Sequence, residues 1–211
     1  MENASKALIM AGGVFISLLV IGLLVFFFNN LSELQRVEQS TETTQTIAEF
    51  NKQYDVYERN VYGSELLSLA NKINDYNKRE ARNKGYSEIE LYVTITKDMD
   101  KEFFKKGIYT SSTLKNEVDK LEQEIKSIGN VSIKSTDIDK PKVSRKVSQL
   151  ATMRTKDIEE LGFERTDYSE EVTKYNTYKT LLTQIKAQVF KYVDFEYDKN
   201  NGRITKMTYK L

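Results

Sequence analysis

The hydrophobic positions divide the chain into an apolar N-terminal segment and a patterned remainder. From Ala7 to Phe28 no residue carries a charge. A helix of this length, at about 1.5 Å per residue, crosses the roughly 30 Å hydrocarbon core of a bilayer. We therefore predict that residues 1–28 form an N-terminal segment with a single transmembrane anchor.

A secretory signal peptide is the alternative interpretation of this segment. The apolar region of a signal peptide is usually about 7–15 residues long and ends in a small-x-small cleavage site. Here the run is longer and ends in residues 26–30, Phe-Phe-Phe-Asn-Asn, which suit signal peptidase poorly. We expect the anchor to be retained.

Charges near the anchor give a slight orientation signal. Lys6 and the terminal amine precede the helix, and Arg36 is the nearest positive residue after it. Because only six residues precede the apolar run, we expect a single-pass protein of the cell membrane. Its N-terminus is expected to be cytoplasmic and its C-terminal domain extracytoplasmic.

Small residues recur within the apolar run at a spacing of four. Ala7 and Ala11 form one pair, and Gly13 and Ser17 form another. Such small-xxx-small spacing permits close packing between helices in lipid. These four residues are our helix-packing candidates. The expected partners are the lipid bilayer and a homo-oligomer or envelope assembly formed through this helix.

Residues 29–48 are polar and contain neither Gly nor Pro. We interpret them as a juxtamembrane helical stalk, with a Thr-rich stretch from Ser40 to Thr46 that could fray, since such residues are poor helix formers. Residues 49–211 then form the extracytoplasmic domain.

In this domain, segments whose hydrophobic residues have helical spacing alternate with segments whose hydrophobic residues have the every-second-residue spacing of a strand. Ser64 is the expected N-cap of a helix that ends before Gly85, and residues 89–95 alternate as a half-buried strand. Ser111 or Ser112 is expected to cap a helix ended by Gly129. The remaining predictions are strand or loop at 130–141, helices at 143–161 (ended by Gly162) and 169–188, and a C-terminal hairpin turning at Asn201-Gly202. The fold class is α+β, with several helices and a small antiparallel sheet.

Composition narrows the possible partners. After residue 28 the chain carries 31 basic and 30 acidic residues, which argues against nucleic acid or an anionic membrane surface as the main partner. A local basic cluster surrounds Pro141, and its usual interpretation is a solvated linker leading into a helix. Its members are Lys140, Lys142, Arg145 and Lys146.

The chain contains neither Cys nor His. Disulfides, thiolate nucleophiles and Ser-His-Asp arrangements are thereby excluded, and a structural zinc site nearly so. We predict no catalytic, cofactor-binding or metal-binding residues, and we expect that the protein is not an enzyme.

The remaining motifs have simpler explanations. Ser112 and Lys115 match the S-x-x-K pattern of penicillin-binding enzymes, but the companion S-x-N and K-T-G elements are absent. Residues 198–202 resemble the start of a calcium loop without its acidic twelfth position, and a hairpin turn explains them better. The acidic pairs Asp98/Asp100 and Asp137/Asp139 are typical of surface loops.

Aromatic residues are abundant, with 13 Tyr and 10 Phe. Tyrosines suit recognition surfaces, but we expect most of the prominent ones to fill the core. This expectation applies to Phe50, Tyr54, Tyr57, Tyr175, Tyr178 and Phe190.

Three stretches carry a resemblance to a known group of proteins. They are the opening MENASKALIMAGG, the run FNKQYDVYERNVYGSELLSLANKINDYNKR from Phe50, and the terminal NGRITKMTYK, about a third of the chain. They resemble small single-pass membrane proteins of clostridia and related low-GC Gram-positive bacteria. The layout is similar to that of pilins and pseudopilins, with an apolar helix, a helical stalk and an α+β head.

One departure from that layout concerns processing. A type IV prepilin carries a Glu five residues into the mature helix, whereas only uncharged residues follow Gly12-Gly13-Val14-Phe15. We do not expect cleavage by a prepilin peptidase.

The first hypothesis about function is a non-enzymatic structural or assembly protein of the cell envelope. The alternatives are a tethered module that binds a ligand or peptide and, last, a tethered hydrolase that uses carboxylates.

Overall fold

The computed structural model describes residues 2–84 and 86–211. The chain divides into two units, Met1–Gln53 and Tyr54–Leu211. The predicted helix end before Gly85 lies at a residue outside the described part.

The first unit is formed by one long helix, α1, which runs from Glu2 to Asp55 and so ends two residues beyond that unit. It continues without a break through the polar residues 29–48 and through the Thr-rich stretch that we expected to fray. No Pro occurs in this helix, and its last Gly is Gly22, so nothing in its backbone chemistry forces an end.

The second unit contains mixed helices and strands, and the predicted α+β class is confirmed. A π-helical turn (Asn77–Ala81) links its first two helices. Its helices are α2 (Gly63–Tyr76), α3 (Arg82–Lys84), α4 (Ser111–Asn130), α5 (Val147–Leu150), α6 (Thr155–Glu160) and α7 (Arg165–Ala187). Its strands are β1 (Val61–Tyr62), β2 (Glu90–Ile95), β3 (Gly107–Thr110), β4 (Ser132–Lys134), β5 (Ser144–Lys146), β6 (Val189–Tyr197) and β7 (Ile204–Lys210).

Five strands form one sheet in the order β1-β6-β7-β2-β3. The C-terminal hairpin β6–β7 is present as predicted, and its turn contains Gly202 with a positive φ of 70°. The predicted small antiparallel sheet is present with one exception, because β2 pairs with β7 in parallel. A second, two-stranded sheet joins β4 and β5.

The sheet buries one face, and β2 shows why. Its residues Leu91, Val93 and Ile95 are buried and alternate with more exposed neighbours, as the period-two pattern predicts. Across the parallel pairing, Leu91 lies opposite Met207 and Val93 opposite Tyr209. Helices α2, α4 and α7 pack against one another, and α2 and α4 contact the sheet.

The predicted helix at 143–161 is wrong, because the chain forms β5, α5 and α6 there instead. A single helix would place Leu150, Arg154 and Ile158 on one face, four residues apart. Leu150 and Ile158 are buried, whereas the side chain of Arg154 is 86% exposed and pairs with Asp157. Breaking the helix before Thr155 keeps this cation in solvent.

Several predicted helix ends also move. The N-cap of α2 is Tyr62, not Ser64, and Glu65 accepts a hydrogen bond from the Tyr62 N–H. Gly129 does not end α4 but lies buried within it, where an added Cβ would stand 2.8 Å from the Tyr175 ring. Helix α7 begins at Arg165, ahead of the predicted residue 169. Gly162 does end α6, with a φ of 81°.

The aromatic residues largely follow the core prediction. Phe50, Tyr54, Tyr178 and Phe190 are buried, whereas Tyr57 and Tyr175 are half-buried. A smaller hydrophobic cluster under the β4–β5 sheet contains Leu150, Ile158, Phe163 and Tyr168.

Candidate functional site

The first candidate site is the apolar part of α1. One stretch of this helix, Ser5–Ser32, is long and apolar enough to cross a membrane, and none of its most apolar window is buried. Its large side chains are all exposed, with Leu8 at 78% and Phe28 at 67%. So much exposed apolar surface is unfavourable in water, since burying it from water is worth about 25 cal/mol per Å².

The four helix-packing candidates lie on two faces of this helix. At 100° per residue, Ala7 and Ala11 share one face, while Gly13 and Ser17 lie about 120° away around the axis. All four residues are exposed. An added Cβ at Gly13 would meet no atom within 4 Å, so the notch at this position is open.

The Ser17 hydroxyl is engaged within its own helix. It donates a hydrogen bond to the Gly13 carbonyl at 2.8 Å. This satisfies the hydroxyl donor in an apolar solvent and holds the side chain close to the helix. The Gly13/Ser17 face is therefore a shallow surface onto which another backbone can approach closely.

The second candidate site is a polar cleft of about 270 Å³ in the second unit. It lies between the end of α2, the start of β2 and the start of α4. Amides, hydroxyls and charged groups line most of it. Its polar members are Asn74, Asn77, Lys78, Arg82, Glu88, Glu90, Tyr92, Thr110, Ser111 and Ser112.

Two asparagines of the α2 end organise this cleft. Asn77 Nδ2 donates to the Ile89 carbonyl at 2.8 Å, and its Oδ1 accepts from the Ile89 N–H at 2.9 Å. Asn74 Oδ1 accepts from the hydroxyls of Ser111 (2.7 Å) and Ser112 (3.1 Å). Neither residue was among the sites predicted from the sequence, although two polar amides three apart on a helix were the available signal.

The start of α4 corrects the predicted cap. The N-cap is Thr110, whose Oγ1 accepts from the Thr113 N–H at 3.3 Å. Ser111 and Ser112 are the first helical residues and bind Asn74 instead. Lys115 lies one turn on but forms an ion pair with Asp119 at 2.9 Å. The S-x-x-K residues thus serve helix structure, and neither is arranged to activate the other.

Charges in the cleft nearly balance. Lys78 and Arg82 face Glu88 and Glu90, and Arg82 Nε lies 3.7 Å from Glu88 Oε1. Tyr92 donates to Glu90 at 3.0 Å, and this hydrogen bond raises the pKa of the Tyr92 hydroxyl. The cleft can offer hydrogen bonds to a small polar molecule, but it concentrates no charge of one sign.

In the acidic pairs Asp98/Asp100 and Asp137/Asp139, three of the four carboxylates act as loop caps. Asp98 accepts from the Lys106 N–H at 2.6 Å, and Asp100 accepts from the Glu102 N–H at 2.8 Å. Asp137 accepts from the Asp139 N–H at 3.0 Å. Among residues 2–84 and 86–211, no group of three or more acidic side chains is placed to hold a metal ion.

The calcium-like stretch is the turn of the β6–β7 hairpin. Asp198 Oδ1 accepts from the N–H groups of Asn200 and Asn201, and the Gly202 N–H donates to the Asp198 carbonyl. The Asp198 carboxylate therefore accepts hydrogen bonds from backbone donors of its own turn.

Comparison with protein-family models, with curated proteins and with solved structures gives no match to this chain.

Proposed function

We propose that this chain is a membrane-anchored, non-enzymatic structural protein of the bacterial cell envelope, which assembles with copies of itself or with similar helices. The exposed apolar helix Ser5–Ser32 carries this proposal. A lipid bilayer removes that surface from water, and the notch at Gly13 and Ser17 permits a second helix to approach. An apolar helix, a helical stalk and an α+β domain in this order are similar to the layout of pilin-like and secretion-system subunits.

Retention of the anchor is tested on the expressed full-length chain. We expect an intact mass that includes residues 1–28, and we expect the protein to stay in membranes washed with alkaline carbonate. A product that begins after residue 28 would show that the segment is a cleaved signal sequence.

Orientation is tested by thiol labelling, because the chain has no Cys. A single Ile108→Cys variant places a thiol at a side chain that is 68% exposed. We expect a membrane-impermeant maleimide to label it in intact cells whose wall admits the reagent. Labelling that appears only after the membrane is opened would place the domain in the cytoplasm.

Assembly through the helix is tested by cross-linking in membranes. Gly13→Leu and Ser17→Leu fill the notch, and the loss of about 1 kcal/mol of close packing lowers association roughly fivefold. Ile16→Leu is the matched control, since it changes the shape of a neighbouring side chain without adding volume. A monomeric wild-type chain, or oligomers that both notch variants leave unchanged, would contradict assembly through this face.

The polar cleft favours a second function, a tethered module that binds a small ligand or peptide. Its volume of about 270 Å³ lies just below the usual range for ligand sites, roughly 300–1,000 Å³, and its lining is less apolar than is typical. A ligand that binds the native state must raise its melting temperature. We expect Asn74→Ala to abolish such a shift while the chain stays folded, and a screen without any shift would count against this function.

A further inference from the structure

The β4–β5 sheet and its loop form a projection that the proposed function does not use. We name residues 132–146 the basic hairpin. Its loop, residues 135–143, carries Ile138, which is 95% exposed. This is the highest exposure among the large hydrophobic residues that the structure describes, including those of α1.

The loop is held firmly in place. The Ser135 N–H donates to the Val143 carbonyl at 2.8 Å, and the Val143 N–H donates to the Ser135 hydroxyl at 2.9 Å. The Asp137 N–H donates to the Gly162 carbonyl at 3.2 Å, and Lys140 Nζ donates to the Glu159 carbonyl at 2.6 Å. The exposure of the loop tip is therefore a property of a fixed loop.

The packing at Gly162 supports the same conclusion. This glycine has a φ of 81°, and an added Cβ would lie 3.1 Å from Lys140 Cβ and 3.2 Å from Asp137 Cβ. Both flanks of the loop thus rest on the turn after α6, and Ile138 between them points to neither the cluster below nor the sheet. Its apolar side chain has no intramolecular role.

The hairpin that carries this side chain is basic, although Asp137 and Asp139 flank Ile138 in the sequence. The basic hairpin holds five basic and two acidic residues, a net charge of +3, in a domain that is otherwise near neutral. The strand register places Lys134 and Lys146 on one face. Lys134, Lys142 and Arg145 are exposed and form no ion pair with any acidic residue in the described part of the chain.

We propose that the basic hairpin docks on the surface of an anionic lipid bilayer, with Ile138 entering the interfacial layer. Each Lys or Arg near such a surface contributes about 1 kcal/mol, and an adjacent apolar side chain adds binding that a purely electrostatic contact lacks. A nucleic-acid contact would use the cations but would leave the aliphatic tip in water. This inference goes beyond the proposed function and rests on it only because the anchor brings the domain to a membrane.

The test uses the full-length chain reconstituted in vesicles. Because Cys is absent, Ile138→Cys accepts a single environment-sensitive fluorophore. We expect its emission to shift to the blue, and to be quenched by lipid-linked nitroxide, in vesicles of equal phosphatidylglycerol and phosphatidylcholine but not in phosphatidylcholine alone. Ile108→Cys, on the edge strand β3 and 68% exposed, is the matched control and should show no difference between the two lipids.

Charge variants of the labelled chain measure the electrostatic contribution to docking of the basic hairpin. Lys134→Gln with Lys142→Gln should lower the ratio of docked to undocked hairpin by about 30-fold, since each cation is worth about fivefold. Lys101→Gln with Lys105→Gln, two exposed lysines in the loop before β3, should leave it unchanged. Salt near 1 M, where the Debye length falls to about 3 Å, should reverse the shift.

Three outcomes would overturn the inference. The label could behave alike in both kinds of vesicle, or respond equally at Ile108→Cys, or shift in neutral vesicles when soluble polyphosphate is added. The last result would identify a soluble polyanion as the partner. Flotation tests the anchor separately: a chain that floats with the anionic vesicles but shows no label shift refutes docking alone, and one that floats with neither kind of vesicle refutes the anchor.

Discussion

Gly63 joins the two halves of the domain, and its replacement by alanine should destabilise the fold strongly. It opens α2 directly after β1, and its N–H donates to the Gln188 carbonyl, between α7 and β6, at 2.7 Å. An added Cβ would lie 1.8 Å from the Ile185 carbonyl oxygen and 2.9 Å from its carbon. Both atoms belong to the backbone, so no side-chain rotation can relieve the contact.

The size of the effect follows from this geometry. The 1.8 Å separation is about half of the ordinary distance between non-bonded heavy atoms, ~3.5 Å. Overpacking of this kind costs about 1–3 kcal/mol or more, and separation of the helix ends weakens the Gly63–Gln188 hydrogen bond, worth about 1 kcal/mol. We expect a loss of about 3 kcal/mol, which lowers Tm by roughly 6–12 °C for a domain of this size.

Thermal unfolding of the full-length chain in detergent micelles, followed by the near-ultraviolet circular dichroism of its tyrosines, measures this change. Gly107→Ala is the matched control, because an added Cβ there meets nothing within 4 Å. Relief of the glycine entropy cost in a strand should leave that variant as stable as the wild type or slightly more so. Equal Tm values for Gly63→Ala and the wild type would refute the reasoning.

Two further predictions concern the interior hydrogen bonds and the tyrosines. Asn77→Ala should lower the free energy of unfolding by about 2–3 kcal/mol, because both backbone groups of Ile89 lose their partner. Asn83→Ala removes only an exposed hydrogen bond to the Arg79 carbonyl in the preceding π-helical turn, and it should change the free energy of unfolding by less than about 0.5 kcal/mol in the same measurement. Burial raises the pKa of the Tyr54 and Tyr209 hydroxyls, so the folded state keeps them neutral while the unfolded chain ionises near pH 10. The two neutral hydroxyls stabilise the fold fully below about pH 10, and this stabilisation is lost as the pH rises above that value. Urea titrations across this range should show that the free energy of unfolding falls less steeply with pH for Tyr209→Phe than for the wild type. An unchanged slope would contradict the assignment.

Local sequence patterns correctly predicted the elements that have a clear hydrophobic periodicity or a clear turn motif. The alternation from Ile89 to Ile95 and the turn at Asn201-Gly202 each depend on a few adjacent residues, and both are confirmed. The buried positions of α2 also follow their spacing, with Leu66, Leu69 and Ile73 in the core.

Other features depend on tertiary contacts that local patterns do not contain. Strands β1 and β3 hold two and four residues, too few for a periodic signal. Gly129 remains in α4 because Tyr175 packs over it, and Arg154 divides the predicted helix because it must stay in solvent. The asparagines of the cleft lie in a polar run, and only the fold brings Asn74 to Ser111.

The parallel pairing of β2 with β7 delays closure of the sheet during synthesis. β7 is flanked by β6 and β2 in the sheet, yet it leaves the ribosome more than a hundred residues after β2. The sheet therefore stays incomplete until β7 has been made, and its long-range closure is intrinsically slow. The apolar helix, by contrast, emerges before any strand of the sheet. Any factor that binds the chain during synthesis therefore meets an exposed hydrophobic helix while the sheet is still open.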